Sequence, residues 1–239
     1  LGFRVKPSRT TRNGTTLCGG PENPTSCVVL LHGLGDTAEG WVTGAKLLTQ
    51  ALPETRFLLP TAPTQPVSLN GGMAMPSWYD IQGLGDRADE PCHGIDESRA
   101  KVKALIQKQL NKGIRAEKMF LAGFSQGGAL SLYTGLSLDY PLAGIVCMSG
   151  YLPFSYRFEA SAAAKTTPVL HCHGSIDPVV RLPWAEAGVK RLKEVEVSVD
   201  WRLYDDMGHT VCWEELQDIS DWMAERLKDG PEDGDGKQG

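Results

Sequence analysis

The chain has 239 residues, of which 41% are hydrophobic and 22% charged, with a formal net charge of -5. A length and apolar content of this order support one sizeable core, and neither a Lys/Arg cluster nor a run of ~18 apolar residues is present, which argues against nucleic acid as the main partner and against a spanning helix. The six cysteines, Cys18, Cys27, Cys92, Cys147, Cys172 and Cys212, form no C-x-x-C pair, so neither a disulfide scaffold nor a thiolate metal site is indicated.

In chain order, residues 1–25 are polar and rich in Thr, Gly, Asn and Pro without periodicity, and read as a flexible arm. The opening Leu1–Pro7 lacks the apolar core of a signal peptide, so the expected location is cytoplasmic. Cys18 reads as an exposed thiol, with lipidation as the alternative. From 26 to 229, strand-like runs near 27–32, 56–60, 118–122, 143–148, 168–173 and 197–204 alternate with amphipathic runs near 41–52, 94–112, 126–138, 183–194 and 212–228. That alternation predicts a single α/β domain, a mostly parallel sheet with helices on both faces. Within 94–112, Ile95, Val102, Leu105, Ile106 and Leu110 share one helical stripe, and Gly113 is placed to cap the helix end. Residues 230–239, Gly-, Asp- and Pro-rich, read as a flexible tail.

The region from Thr61 to about His93 breaks the alternation, with Pro63, Pro66, Pro76 and Pro91. Leu69, Met73, Met75, Trp78 and Tyr79 are too apolar for a disordered loop. Two readings stand with equal weight: a lid or groove wall against an oily substrate, or side chains that pack the loop onto the core.

The densest signal is Gly123-Phe124-Ser125-Gln126-Gly127, which follows the apolar run Met119–Ala122 and opens a helical run. A G-x-S-x-G at a strand-to-helix junction describes the nucleophile elbow of α/β-hydrolases, in which small flanking residues permit a strained turn that lifts the serine out. A serine hydroxyl needs a base, and the base needs an acid to fix its tautomer. On such a fold the partners follow in the order acid, then histidine, on loops after later strands. Asp177 in Gly174-Ser175-Ile176-Asp177-Pro178 and His209 in Asp205-Asp206-Met207-Gly208-His209 satisfy both order and position. His32, His171 and His173 lie in or at the end of strand-like runs and read as structural hydrogen-bonding groups, whereas His93 precedes the serine. Two N–H donors for a tetrahedral oxyanion are expected from Gln126, directly after the serine, and from Leu34 in the turn His32-Gly33-Leu34-Gly35-Asp36. His171-Cys172-His173 cannot converge on a metal, because alternate strand residues face opposite ways.

With these residues in place, the chain resembles the acyl-protein thioesterase and lysophospholipase family of small α/β-hydrolases. The likeness spans about Val28 to Leu227 and is carried by Leu31–Thr37, Ala74–Asp80, Gly123–Tyr133, and Cys172-His173-Gly174 with Asp177-Pro178. The resemblance implies a Ser125-His209-Asp177 triad, an oxyanion hole from Leu34 and Gln126, and an acyl channel near the 66–80 loop and the segments after Gly150 and Asp177. Leu69, Met75, Trp78, Tyr151 and Val179 are its expected substrate contacts. It further implies release of palmitate from S-acylated proteins, with lysophospholipids or small esters as the alternative substrates, and no metal or organic cofactor. The chain departs from relatives at Gly150-Tyr151-Leu152-Pro153, where Cys-Trp-Leu-Pro is frequent. Exposed apolar residues around the lid are compatible with a membrane-surface contact or a homodimer. A binding module that has lost activity is the third, disfavoured reading.

Overall fold

A computed structural model of the chain describes residues 9–10, 14–83, 85 and 90–228. Its main sheet has eight strands in the order β1-β2-β4-β3-β7-β8-β9-β10. They are β1 (Arg9–Thr10), β2 (Thr15–Cys18), β3 (Ser26–Leu31), β4 (Thr55–Pro60), β7 (Met119–Phe124), β8 (Gly144–Met148), β9 (Val169–Gly174) and β10 (Val199–Tyr204). A separate hairpin pairs β5 (Thr64–Val67) with β6 (Met73–Pro76). The helices are α1 (Val42–Ala51), α2 (Ile95–Leu110), α3 (Gln126–Gly135), α4 (Leu182–Glu194) and α5 (Trp213–Lys228).

Across the main sheet, in the order β4-β3-β7-β8-β9-β10, every pairing is parallel. The central strands are therefore buried on both faces and read as continuous apolar runs. Side chains still alternate: Val28 and Leu30 of β3 join Val42, Ala45 and Leu48 of α1 and Ile219, Trp222 and Met223 of α5 in one core layer. Cys27, Val29 and Leu31 face the other way, onto Val102 and Ile106 of α2 and Leu130 of α3. A third cluster packs Ile145, Cys147 and Val169 against Leu192 of α4. Cys27, Cys147 and Cys172 are core hydrophobes, as their apolar strands indicate.

Three features differ from the sequence reading. The arm read as flexible over 1–25 contains β1 and β2, which pair with each other and extend the sheet antiparallel to β4, Leu17 opposite Leu58. A four-residue strand with two threonines carries too few alternations to register as a period. Cys18 is consequently not an exposed thiol: it is 1% exposed, packed into the layer of Trp41 and Val42. The region 61–93 is not one loop but includes the hairpin β5-β6, whose turn uses Gly71 and Gly72 at φ 64° and 81°; its prolines mask a strand pattern because they fit only edges. α3 ends at Gly135, three residues short of the expected end. The boundaries of the other central elements lie within about two residues of expectation, and Gly113 caps α2 at φ 91°, its N–H on the Leu110 carbonyl. The expected tail, 230–239, lies outside the described residues.

The sheet order places the site. The chain runs from β3 outward to β4, then returns to β7 on the opposite side of β3, so the loops after β3 and β7 leave the same end of adjacent strands in diverging directions. Crevices outside such a switch point are where open α/β sheets bind ligands. Leu31 pairs with Gly123, which sets the turn at His32–Asp36 directly beside Ser125.

Candidate active site

Ser125 sits between β7 and α3 at φ 53°, ψ -119°, a conformation that side chains other than glycine rarely adopt. Such strain costs about 1–3 kcal/mol and persists only where surroundings impose it. Here the Ser125 N–H donates to Met148 O at 2.8 Å, and the Ser125 carbonyl accepts from Ala129 N at 3.0 Å in the first turn of α3. The glycines of the elbow are required by close backbone approach. A Cβ on Gly123 would overlap the Gly127 carbonyl, and one on Gly127 would overlap the Leu31 and His32 carbonyls.

His209 reaches the elbow from the loop after β10. Its Nε2 lies 3.0 Å from Ser125 Oγ and its Nδ1 2.7 Å from Asp177 Oδ2. The loop can cross the end of β9 because Gly174 has no Cβ to strike the Met207 and Gly208 carbonyls. Phe124 packs beside the His209 ring, with centroids 4.8 Å apart, and limits its rotation. Asp177 follows β9; its Oδ1 accepts the N–H groups of Val179 at 2.8 Å and Val180 at 2.9 Å. Burial by itself would raise the Asp177 carboxyl, but the His209 hydrogen bond and charge, followed by the two backbone amides, hold it below the ordinary carboxylate value. An ionised Asp177 keeps the proton of His209 on Nδ1, leaving Nε2 as an acceptor facing the serine.

The two expected amide donors flank this serine. Gln126 is the first residue of α3, where N–H groups lack intrahelical acceptors and the helix dipole favours negative charge. In the turn after β3, the Gly35 and Asp36 amides are committed to Pro76 O at 2.9 Å and Gly33 O at 3.3 Å, bonds that do not engage the expected donor, Leu34. Gly33 admits the close approach: a Cβ there would lie 3.1 Å from the Phe124 ring and 3.5 Å from Ser125 Cβ.

Three further histidines, His32, His171 and His173, are buried in or next to strands. His32 donates from Nδ1 to Gly33 O at 2.6 Å and accepts on Nε2 from Ala62 N at 3.0 Å, which fixes a neutral tautomer; burial lowers its pKa in the same sense. His173 donates from Nε2 to Val180 O at 2.8 Å. His171 packs edge-on against Trp201 and has the Gly150 backbone as its polar neighbour. Burial, then the neighbouring His173, pushes its pKa down to about 3. Among the described residues no three His, Cys, Asp or Glu side chains converge as metal ligands.

Of the expected substrate contacts, Leu69, Trp78 and Tyr151 meet in one apolar cluster, which Leu34 also joins. Met75, half-buried on β6, would lie 3.7 Å from a Cβ on Gly35. Val179 stands outside that cluster and is 40% exposed, whereas its neighbour Val180 is buried in it. Trp78 and Tyr79 belong to the packing alternative: both are buried, with Trp78 Nε1 donating to His32 O at 2.8 Å. The hairpin before them projects, with Met73 66% exposed. Tyr79 and Tyr151 join hydroxyls at 2.7 Å inside the core, a contact that the spacing of 72 residues conceals in the sequence. The Gln126 side chain was also unforeseen: its Oε1 accepts from Trp78 N at 2.9 Å, and its Nε2 donates to Tyr79 O at 2.7 Å and Ser77 Oγ at 3.0 Å.

Comparison with known proteins agrees with this geometry. The model of the phospholipase/carboxylesterase family matches residues 16–227. Acyl-protein thioesterase 1 of Neurospora crassa is 40% identical over 214 residues, covering 85% of this chain and 87% of that protein. Acyl-protein thioesterase 1 of Cryptococcus neoformans is 38% identical over 226 residues, covering 87% and 94% respectively. Among solved structures, Arabidopsis thaliana SOBER1 superposes with a TM-score of 0.78 at 32% identity, over 84% of this chain and 99% of that one. Zea mays acyl-protein thioesterase 2 gives a TM-score of 0.77 at 30% identity, over 89% and 98%. With the fold, the elbow and the hydrogen-bonded serine, histidine and aspartate in agreement, the chain belongs to the phospholipase/carboxylesterase family of α/β-hydrolases.

Proposed function

We propose that this hydrolase cleaves long-chain acyl thioesters from S-palmitoylated proteins, with Ser125 as nucleophile, His209 as general base and acid, and Asp177 as the orienting acid. The observation that carries the reading is the continuous relay Asp177–His209–Ser125, at 2.7 and 3.0 Å, on a strained elbow. The thioesterase names of its relatives support the choice of thioester.

His209 Nε2 takes the Oγ proton as Ser125 attacks the thioester carbonyl, and the oxyanion is held by the N–H groups of Leu34 and Gln126. The carbon–sulfur bond breaks, the cysteine sulfur leaves with the proton returned by His209, and an acyl-serine remains. A water deprotonated by His209 attacks that ester, and the fatty acid departs as the proton returns to Ser125 Oγ. None of these steps requires a metal or organic cofactor. Thiolate is a good leaving group, so deacylation limits turnover and a burst of thiol precedes the steady state. Leu34, Leu69, Met75, Trp78, Tyr151 and Val179 line or support the acyl path. Met73, Ile176 and Val179, all exposed, offer apolar surface where an acylated protein meets a membrane.

The test is hydrolysis of a chain-length series of acyl thioesters and matched oxygen esters by the wild type and by Ser125→Ala. Serine-dependent turnover that favours long-chain thioesters supports the reading. Preference for short oxygen esters or lysophospholipids replaces it with a general esterase or lysophospholipase, and activity surviving in Ser125→Ala overturns the mechanism.

A further inference from the structure

The two oxyanion donors come from segments far apart in sequence, the turn after β3 and the start of α3. Both are tied to one short stretch, Pro76–Tyr79, at the exit of the β5-β6 hairpin. On the β3 side, Pro76 O accepts from Gly35 N at 2.9 Å, and Trp78 Nε1 donates to His32 O at 2.8 Å. Trp78 also lies against the His32 ring, with centroids 5.0 Å apart. These bonds bracket Leu34 from both sides. On the α3 side, the Gln126 carboxamide clasps the backbone of the same stretch through Trp78 N and Tyr79 O, and Ser77 Oγ, which accepts from Gln126 Nε2, donates to Tyr79 O at 2.7 Å. The stretch is itself anchored to α2, because Ser98 Oγ donates to Trp78 O. Ser77, Trp78, Tyr79, His32 and Gln126 are each 2% exposed or less, so these hydrogen bonds do not compete with water.

We infer that Pro76–Tyr79 is a strap that sets the spacing between the Leu34 and Gln126 amides, with Trp78 and Ser77 as positioning residues that act on the transition state without touching it. The inference rests on Leu34 and Gln126 being the oxyanion donors. A donor stabilises an oxyanion only within a narrow distance, whereas a ground-state carbonyl tolerates more slack. Trp78 thus acts through the indole N–H, over and above its apolar bulk.

The experiment uses Trp78→Phe, which keeps an aromatic ring and deletes the N–H. A long-chain trifluoromethyl ketone, labelled with carbon-13 at the carbonyl, adds to Ser125 to form a hemiketal whose ionisation is followed by NMR across pH. In the wild type that hemiketal ionises well below the free ketone hydrate. In Trp78→Phe the ionisation moves up by about one pH unit and kcat falls about tenfold, with KM within about twofold. If the wild-type hemiketal is depressed and Trp78→Phe leaves it unmoved, the strap is overturned while the donors stand. If the wild-type hemiketal is not depressed, the donor assignment fails and the strap with it. Ser77→Ala is measured in parallel, so that a Trp78→Phe variant that fails to fold still leaves a decision. Ser77→Ala is expected to move the ionisation the same way by about half a unit, and no movement overturns the strap.

Discussion

Nδ1 of His209 lies 2.7 Å from Oδ2 of Asp177, while Oδ1 of the same carboxylate takes the Val179 and Val180 amides. The aspartate therefore presents one oxygen to the histidine in a fixed direction. Asp177→Asn keeps the shape but offers a donor or a neutral acceptor in its place, which turns the imidazole to the wrong tautomer. The expected outcome is a fall in kcat of about ten-thousand-fold with intact folding, read by steady-state kinetics beside circular dichroism. A fall below about tenfold would remove Asp177 from the relay.

The elbow admits no side chain at Gly127. A Cβ there would sit 2.6 Å from His32 O and closer still to Leu31 O, with backbone on both sides and nothing flexible to yield. Gly127→Ala is expected to destabilise the fold by about 3 kcal/mol or more, seen as a lower midpoint in urea unfolding. An unchanged midpoint would show that β3 and α3 can separate at the site without cost.

The Tyr79–Tyr151 hydroxyl pair is buried, with the two side chains 0% and 2% exposed. Tyr151→Phe takes this partner from the Tyr79 hydroxyl. Tyr151→Phe is expected to cost about 1–3 kcal/mol, and the double change with Tyr79→Phe less than the sum of the singles, with a coupling of about 1 kcal/mol. Chemical denaturation of the four proteins measures it, and additivity within about 0.3 kcal/mol would mean the hydroxyls do not cooperate.

Glu215 lies in the first turn of α5, close behind the histidine loop, fully buried and without an ion pair among the described residues. Burial pushes its pKa from 4.5 up to about 8, and the Cys212 backbone amide offsets this only in part. The folded protein then holds a proton that the unfolded chain releases above pH 4.5, so Glu215 costs stability as pH rises and the loss levels off above about 8. Between those limits the wild type should lose stability relative to Glu215→Gln by roughly 1 kcal/mol per pH unit. Urea midpoints for both proteins from pH 5 to 8 provide the test; parallel curves would place an ionised carboxylate in the fold.

Most of the sheet and the three polar groups of the relay are legible in the amino-acid sequence. Central parallel strands are apolar on both faces, so β3, β7, β8 and β9 show as unbroken runs. The elbow is local, because its backbone strain and its glycines lie within five consecutive residues. Asp177 and His209 follow from chain order on an open α/β sheet.

What the sequence concealed is of another kind. β1 and β2 are short strands, β2 paired with the distant β4 and β1 with β2, and β6 exposes Met73 and Ala74 instead of alternating. By residue type Trp78 and Tyr151 look like walls for a ligand, yet each is buried and its polar atom is occupied, the indole by the His32 carbonyl and the phenol by Tyr79. The alternation, the elbow and the order of the chemical groups are encoded locally, because periodicity, glycine and strand-end position act over a few residues. Which side chains hold the Leu34 turn and the start of α3 together depends on the assembled fold, because a hydrogen bond across 46 or 48 residues follows the register of β3 against β7, which no local pattern encodes.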